Sequence, residues 1–443
     1  KMGAVRALLA VSPDSLLSQI GVALIGWGGP AASQVRKAAD EERADRELRA
    51  VVFQPVLPLF RARADGLSSV ILPTGLLGKA WGQLRRHDPD LIDECREAAE
   101  AWCTGDPTPP VYDRACATAA WRLRDAFQDA PDADRELAEE FAAYLDLAPV
   151  VRRAVKRLSE WLGRPTEAGQ AGFKLLVKDA VEARADAAPR LFELIFGQLD
   201  QGWQILNLAA GAVGKERPAD RFLAESELAV IGERLLADAE ARVERIRTME
   251  AKGGAAAAKG VGADIARVCQ VLDAFDKYVE LSRDGPWGKR VFAARKNLAE
   301  NVESRLKQVE DALLDALPVV PVRHGMKVLR HAPRLDRDPD LAASAKARAL
   351  FALLDEARLG ASVAGYGALH AQVLTDVEKL IDTYVEDLVE EIPTLSGAPL
   401  ARAELFLDIA AELLEKARGP KPAEIVRRRA AAALSAALSK DVA

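Results

Sequence analysis

Apolar residues return every three or four positions along much of this chain, and that spacing constrains the fold more than any other feature. Leu228, Ile231, Leu235, Ala239, Val243, Ile246 and Met249 form one such series. Ile265, Val268, Leu272, Phe275 and Val279 form a second, and Val291, Ala294, Leu298, Val302, Leu306, Val309 and Leu313 a third. An α-helix turns once in about 3.6 residues, so each series is a stripe down one side of a helix, with charged flanks left for water. A half-buried strand would need alternation instead. Leu374, Val377, Ile381, Tyr384 and Leu388 stripe a further helix. Each stripe lasts only about three heptads, which suits bundle hairpins better than an extended coiled coil.

Composition points the same way. Ala, Leu, Arg and Glu dominate, and aromatic residues reach only 5%. These residues lose little side-chain entropy in a helix, whereas strands favour β-branched and aromatic types. With 49% hydrophobic and 29% charged residues the chain is too apolar for disorder. The expected fold is all-α, an irregular array of antiparallel helical hairpins and bundles.

A length of 443 residues exceeds one ordinary core. Pro and Gly cut the sequence into helix-length pieces, and three domains are expected. Residues 1–214 read as a Trp-rich domain of shorter helices, since six of the seven tryptophans precede residue 204. Residues 219–317 read as a three-helix antiparallel bundle, and 338–443 as helical hairpins with acidic and basic helices. Between the last two, 318–337 reads as a basic irregular linker. Within this scheme 189–212 is expected to be one helix, 252–262 (KGGAAAAKGVG) a flexible connector, and Asp88 the cap of a helix starting at Pro89. No repeat of solenoid length is present.

The apolar segment Ser15–Gly29 lies behind Arg6, but Ser12-Pro13-Asp14-Ser15 breaks the apolar run and Gln19 sits inside it, so it reads as a buried first helix rather than an export signal. No stretch has the roughly 20 apolar residues that span a bilayer. Cys95 and Cys103 are eight residues apart on one expected helix, about 12 Å at 1.5 Å per residue, too far to bridge. Four cysteines in a chain this long suggest reduced, buried thiols and a cytoplasmic protein. The Ala- and Arg-rich style suggests a bacterial source. A net charge of −6 disfavours nucleic acid, whose binders carry a basic surplus.

Catalytic furniture is missing. There is no phosphate loop G-x-x-x-x-G-K-[ST], no G-x-S-x-G elbow, no H-E-x-x-H and no C-x-x-C. His87, Cys95, Cys103 and Cys116 match no zinc spacing, and no histidine has a Glu three residues before it. No catalytic residue, metal ligand or cofactor is therefore assigned.

Three features are candidates for contact. Arg323, His324, Lys327, Arg330, His331, Arg334 and Arg337 crowd one short segment suited to anions or an acidic partner. Asp376, Glu378, Asp382, Glu386, Asp387, Glu390 and Glu391 face one base, Lys379, and Arg427, Arg428 and Arg429 follow near the C-terminus. Such faces suit docking on each other, on a partner or on a second copy. Trp81, Trp102, Trp121, Trp161 and Trp203 lie in helix-like segments and are candidates for a pocket or groove. The expectation is a non-enzymatic scaffold or adaptor that binds a protein partner through helix grooves or charged faces. Two alternatives stand beside it: an apolar ligand pocket or helical active site in the Trp-rich half, and peripheral contact with an anionic membrane or phosphate surface through 323–337.

Overall fold

In a computed structural model of the chain, residues 5, 8–9, 14–23, 30–103, 106–163, 166–213, 217–226, 228–248, 254–324 and 327–441 are described. The fold is all-α, with 82% of the structure helical. The chain divides into two compact units, Lys1–Glu216 with Ser226–Ile231, and Arg217–Glu225 with Gly232–Ala443.

The first unit runs through α1 (Asp14–Ala23), α2 (Pro30–Val52), a 3-10 turn Gln54–Phe60, α3 (Gly75–His87), α4 (Pro89–Ala101), α5 (Pro110–Ala126), α6 (Asp132–Asp146), α7 (Ala148–Leu162), α8 (Glu167–Ala183), α9 (Ala187–Gln198) and α10 (Ile205–Val213). Successive helices α5 and α6 pack together, and α3 and α4 both lie on α5. Leu123, Phe141, Leu145, Val151, Leu191 and Phe196 are among its fully buried side chains. α1 is not a buried helix. Leu17 is buried, but Leu16 and Val22 face solvent, and residues 24–29 of the apolar segment lie outside the described residues.

Polar side chains close helix ends inside this unit. Arg152, on α7, is buried and donates to the carbonyls of Val51 (3.4 Å) and Val52 (2.7 Å), the last residues of α2, while pairing with Asp113 at 2.9 Å. A cation there satisfies carbonyls that have no partner within the helix and complements its dipole. The expected helix 189–212 is two helices separated at 199–204. Arg63 donates to the carbonyls of Phe196 and Leu199, Asp65 accepts from the Gly202 amide at 2.9 Å, and Gln201 and Gln204 cap each other. The bonds from Arg63 and Asp65 come from a loop more than a hundred residues earlier, and only the Gln201–Gln204 cap is local to the break. Asp88 makes no side-chain cap to α4. Both its oxygens are taken by Arg122, at 2.8 and 2.9 Å.

The second unit holds α11 (Asp220–Ala224), most of α12 (Ala229–Thr248), α13 (Gly254–Tyr278), α14 (Pro286–Leu306), α15 (Gln308–Ala316), strands β1 (Val319–His324) and β2 (Lys327–Pro333), α16 (Leu341–Ala357), α17 (Ala361–Ala364), α18 (Gly367–Glu391), α19 (Ala398–Arg418) and α20 (Pro420–Asp441). α13 packs along α16, and α19 along α20. The stripe 291–313 is divided between α14 and α15, and nothing in the sequence around Lys307 explains the break. The connector 252–262 is helical from Gly254 onward, because Ala255–Ala258 are the best helix formers. Gly262 adds a tertiary reason, since a Cβ there would come within 2.6 Å of the Glu356 Cβ on α16. Asp220 is buried and accepts from the Gly288 amide at 3.1 Å, which places a carboxylate at the first turn of α14.

The expected irregular linker contains an antiparallel β-hairpin with a bulge between Val322 and Arg323. Val319, Val320, Val322 and Val328 supply the β-branched residues, a signal masked in the sequence by Pro318, Pro321 and the basic residues. The Arg334 amide bonds the Pro318 carbonyl at 2.9 Å. Pairs 320/332 and 322/330 therefore exchange hydrogen bonds, and the backbone groups of 319, 321, 331 and 333 point away from the partner strand. Pro321 and Pro333 occupy two of those outward positions. Lacking N–H groups, they deny donors to any added strand.

Candidate functional site

Three open grooves bring together side chains that are distant in sequence. The first, about 690 Å³, lies between α2, α3 and α4. Leu9, Ala38, Pro89 and Ile92 supply its apolar lining, and Glu41, Glu42, Asp45, Asp93, Arg85 and Arg96 its charges. Asp45 is fixed by the Trp81 Nε1 proton at 2.8 Å and by Arg85 at 3.3 Å. The second, about 560 Å³, runs between the end of α5 and α6, lined by Arg124, Phe127, Gln128, Glu136, Ala138 and Glu139 among others. The third, about 840 Å³, separates α12 from α14.

The third groove has a clear physical origin. α12 and α14 are bridged by long polar side chains: Trp287 Nε1 to Glu233 at 2.8 Å, Arg290 to Glu240 at 2.7 Å, Asn301 to the Val243 carbonyl at 3.2 Å and Arg305 to the Arg247 carbonyl at 2.9 Å. Between Arg290 and Asn301 the α14 side of the groove is formed by Ala293, Ala294, Asn297 and Glu300, and the first three are too short to fill the gap.

Around the second groove charge is internally balanced. Arg124 holds Glu139 and Asp146, each at 2.7 Å, and lies first among the causes that hold the Glu139 carboxyl below its ordinary range. Arg184 adds a contact to Glu139 at 3.3 Å, and Arg190 takes Glu140 at 2.7 Å.

The candidate tryptophans do not gather into one pocket. Trp81 is 2% exposed and edge-packed on Phe53. Trp161 is buried against Phe173. Trp102 is half-buried, bonding the Asp106 carbonyl at 3.3 Å, and Trp203 is half-buried in the turn before α10. Trp121 differs: it is 54% exposed, with the Arg122 guanidinium 4.4 Å over its ring. Trp81 meets the first groove through Asp45, and Trp161 lines a small cleft of about 20 Å³ with Thr166, Gly169, Phe173 and Asn207.

Arg323, His324, Lys327 and Arg330 lie on the hairpin strands, but their side chains fall outside what the structure describes. His331 is exposed. Arg334 and Arg337 both face Asp336, at 2.8 and 3.9 Å. Arg427 pairs with Glu415 at 2.6 Å, Arg428 with Glu424, and Arg429 is exposed. Of the acidic series on α18, Glu378 meets Arg418 at 3.2 Å, joining the acidic helix to the start of the basic segment. Asp376, Asp382, Glu386 and Glu390 remain exposed, without an ion pair among the described residues.

Burial sets the character of three cysteines. It pushes the Cys95 and Cys269 thiols up to about 11 and the Cys116 thiol up to about 12. Thiols so placed stay protonated at neutral pH and are poor nucleophiles. His370 is also buried, its Nε2 2.8 Å from the Leu354 carbonyl. Among the described residues no group of three or more His, Cys, Asp or Glu is arranged to hold a metal ion, and no helix is long and apolar enough to cross a membrane.

A scan against protein families and searches of curated proteins and of solved structures each return no match. The groove residues Asp45, Ile92 and Asp93 were not distinguishable in the sequence, since only the packing of three helices sets them side by side.

Proposed function

We propose that this chain is a non-enzymatic helical scaffold or adaptor that engages a protein partner through grooves between its helices. The observation that carries this reading is the set of open grooves of 690, 560 and 840 Å³, each flanked by helices and lined by apolar and charged side chains together. Such a lining suits a partner helix, whose apolar side seats on the floor while its polar flanks meet the walls. Charged faces on α18 and α20 supply further contact surface, and electrostatic complementarity of that kind selects partners and speeds their encounter. A bacterial cytoplasmic setting accompanies the proposal, in keeping with the free thiols of Cys95, Cys116 and Cys269.

The experiment is site-specific photo-crosslinking in cells, with a benzophenone side chain replacing Asp93, Glu136 or Asn297, one in each groove. A discrete crosslinked species from at least one groove, absent when exposed Glu310 is replaced instead, is the expected result. Absence of a crosslink at all three positions, together with turnover of a small molecule by the purified chain, would overturn it.

A further inference from the structure

We infer that the outward face of α16, α19 and α20 associates with the same face of a second copy of this chain, giving a twofold dimer. The inference stands apart from the grooves and does not rest on the scaffold reading.

Two ion pairs fix how α16 and α19 lie together. Arg402 Nε meets Asp338 at 2.8 Å, and Arg348 Nε meets Glu412 at 2.6 Å. Both pairs join residues 64 apart, so the two helices run parallel, each residue of α16 level with the one 64 positions later on α19. Leu341 and Leu405 are therefore level as well, and they are 82% and 49% exposed between the two ion pairs. Leu341, Ala345 and Arg348 recur at i, i+4 and i+7 and so share one side of α16, where Ala345 is also exposed. Leu405 and Glu412 share one side of α19 by the same spacing. The surface continues onto α20. Arg427 meets Glu415 at 2.6 Å, and Leu434, two turns further along that side of α20, is half-buried. A band of leucines thus crosses three helices and stays open to solvent.

The charges around it show what covers it. Leu341 has an acid three residues before it, Asp338, and a base seven after, Arg348. Leu405 has a base three residues before it, Arg402, and an acid seven after, Glu412. The spacing is the same and the signs are exchanged. A twofold axis lying in this face, whether along or across the helices, then sets each of the four charges opposite one of contrary sign. Across the helices, Asp338 stands opposite Arg348 of the second copy, and Arg402 opposite its Glu412. Beside the band, Asp408 is balanced by Arg427, which is close enough to feel its charge. All these groups are already paired within one copy, so they select the orientation, while the exposed leucines supply the attraction.

The face is small. From Asp338 to Arg348 is about 15 Å at 1.5 Å per residue, and three helices about 10 Å wide give roughly 450 Å² in plan. That is little more than half of the roughly 800 Å² that each partner buries in a stable complex, so the dimer is weak and reversible.

The test is sedimentation equilibrium of the full chain from low micromolar to near-millimolar concentration. A monomer–dimer equilibrium is expected, with a dissociation constant in the micromolar range. The Leu341→Glu/Leu405→Glu variant should raise that constant about tenfold or more. Both replaced side chains are largely exposed, so its circular dichroism and melting temperature should match the wild type. The Leu175→Glu/Val181→Glu variant, altered at exposed apolar residues of α8, should dimerise as the wild type does. A chain that stays monomeric throughout overturns the inference, as does growth beyond the dimer, which a closed twofold contact forbids. Undiminished dimerisation of the Leu341→Glu/Leu405→Glu variant overturns it too and places the contact on another face.

Discussion

Neutralising Asp65 should loosen the loop 61–73 from the first unit without unfolding the chain. The Asp65 and Arg63 side chains are only 7% and 5% exposed, and the carboxylate accepts from Arg63 Nη2 at 2.7 Å, Arg63 Nε at 3.0 Å, the Gly202 amide at 2.9 Å and the Leu67 amide at 3.2 Å. Burial raises this carboxyl, but the bonds from Arg63 and Gly202 outweigh it and hold the group at about 2 against an ordinary 3.8. At 1.36 kcal/mol per unit, discounted for solvent screening, the displacement is worth about 2 kcal/mol. Loss of one partner of a buried pair costs about 3–5 kcal/mol when the other is left bare. Here Arg63 keeps the Leu199 carbonyl at 3.0 Å, so the smaller figure applies to Asp65→Asn. Because the folded value is lowered, the stabilisation is complete above the unfolded value near 4 and disappears as pH falls through about 2. Hydrogen exchange at Leu67 and Gly202 reads this opening directly. In Asp65→Asn at pH 7 those amides should exchange about 30-fold faster, since 1.36 kcal/mol is a factor of ten. The ratio of variant to wild type should shrink markedly by pH 3. A ratio near one at pH 7, or one that does not change between pH 7 and pH 3, would refute the reasoning.

Further outcomes are expected. Of the four thiols only Cys103 is exposed, so a maleimide should label one cysteine rapidly in the native chain and the other three only on unfolding, counted by mass spectrometry. Gly232→Ala would place a Cβ 2.3 Å from the Trp287 ring; overpacking of this kind costs about 1–3 kcal/mol, and a lowered melting temperature with altered near-ultraviolet circular dichroism should report it. Restoring outward N–H groups to the hairpin with Pro321→Thr/Pro333→Thr should promote association through strand edges, seen as higher-order species in analytical ultracentrifugation. Arg152→Met removes the cation that closes α2 and leaves Asp113 unpaired, and should destabilise the first unit by about 3 kcal/mol or more in urea unfolding.

Sequence spacing alone determined that the chain is helical and where most helices run. A three-to-four-residue apolar period can bury its side chains in no other regular structure, and Pro at the starts of α4, α5 and α14 marks helix entries locally. Packing decided the rest. The break between α9 and α10 depends on Arg63 and Asp65, and the helical start of α13 is seated by close approach to α16. Asp88 serves Arg122 rather than α4 because a bidentate guanidinium partner is a stronger match than a single amide. The grooves were invisible for the same reason: a groove is a mismatch between facing helices, and Ala293 or Asp45 acquires meaning only from what stands opposite. Periodicity specifies which side of a helix is buried, and tertiary contact specifies against what and how completely.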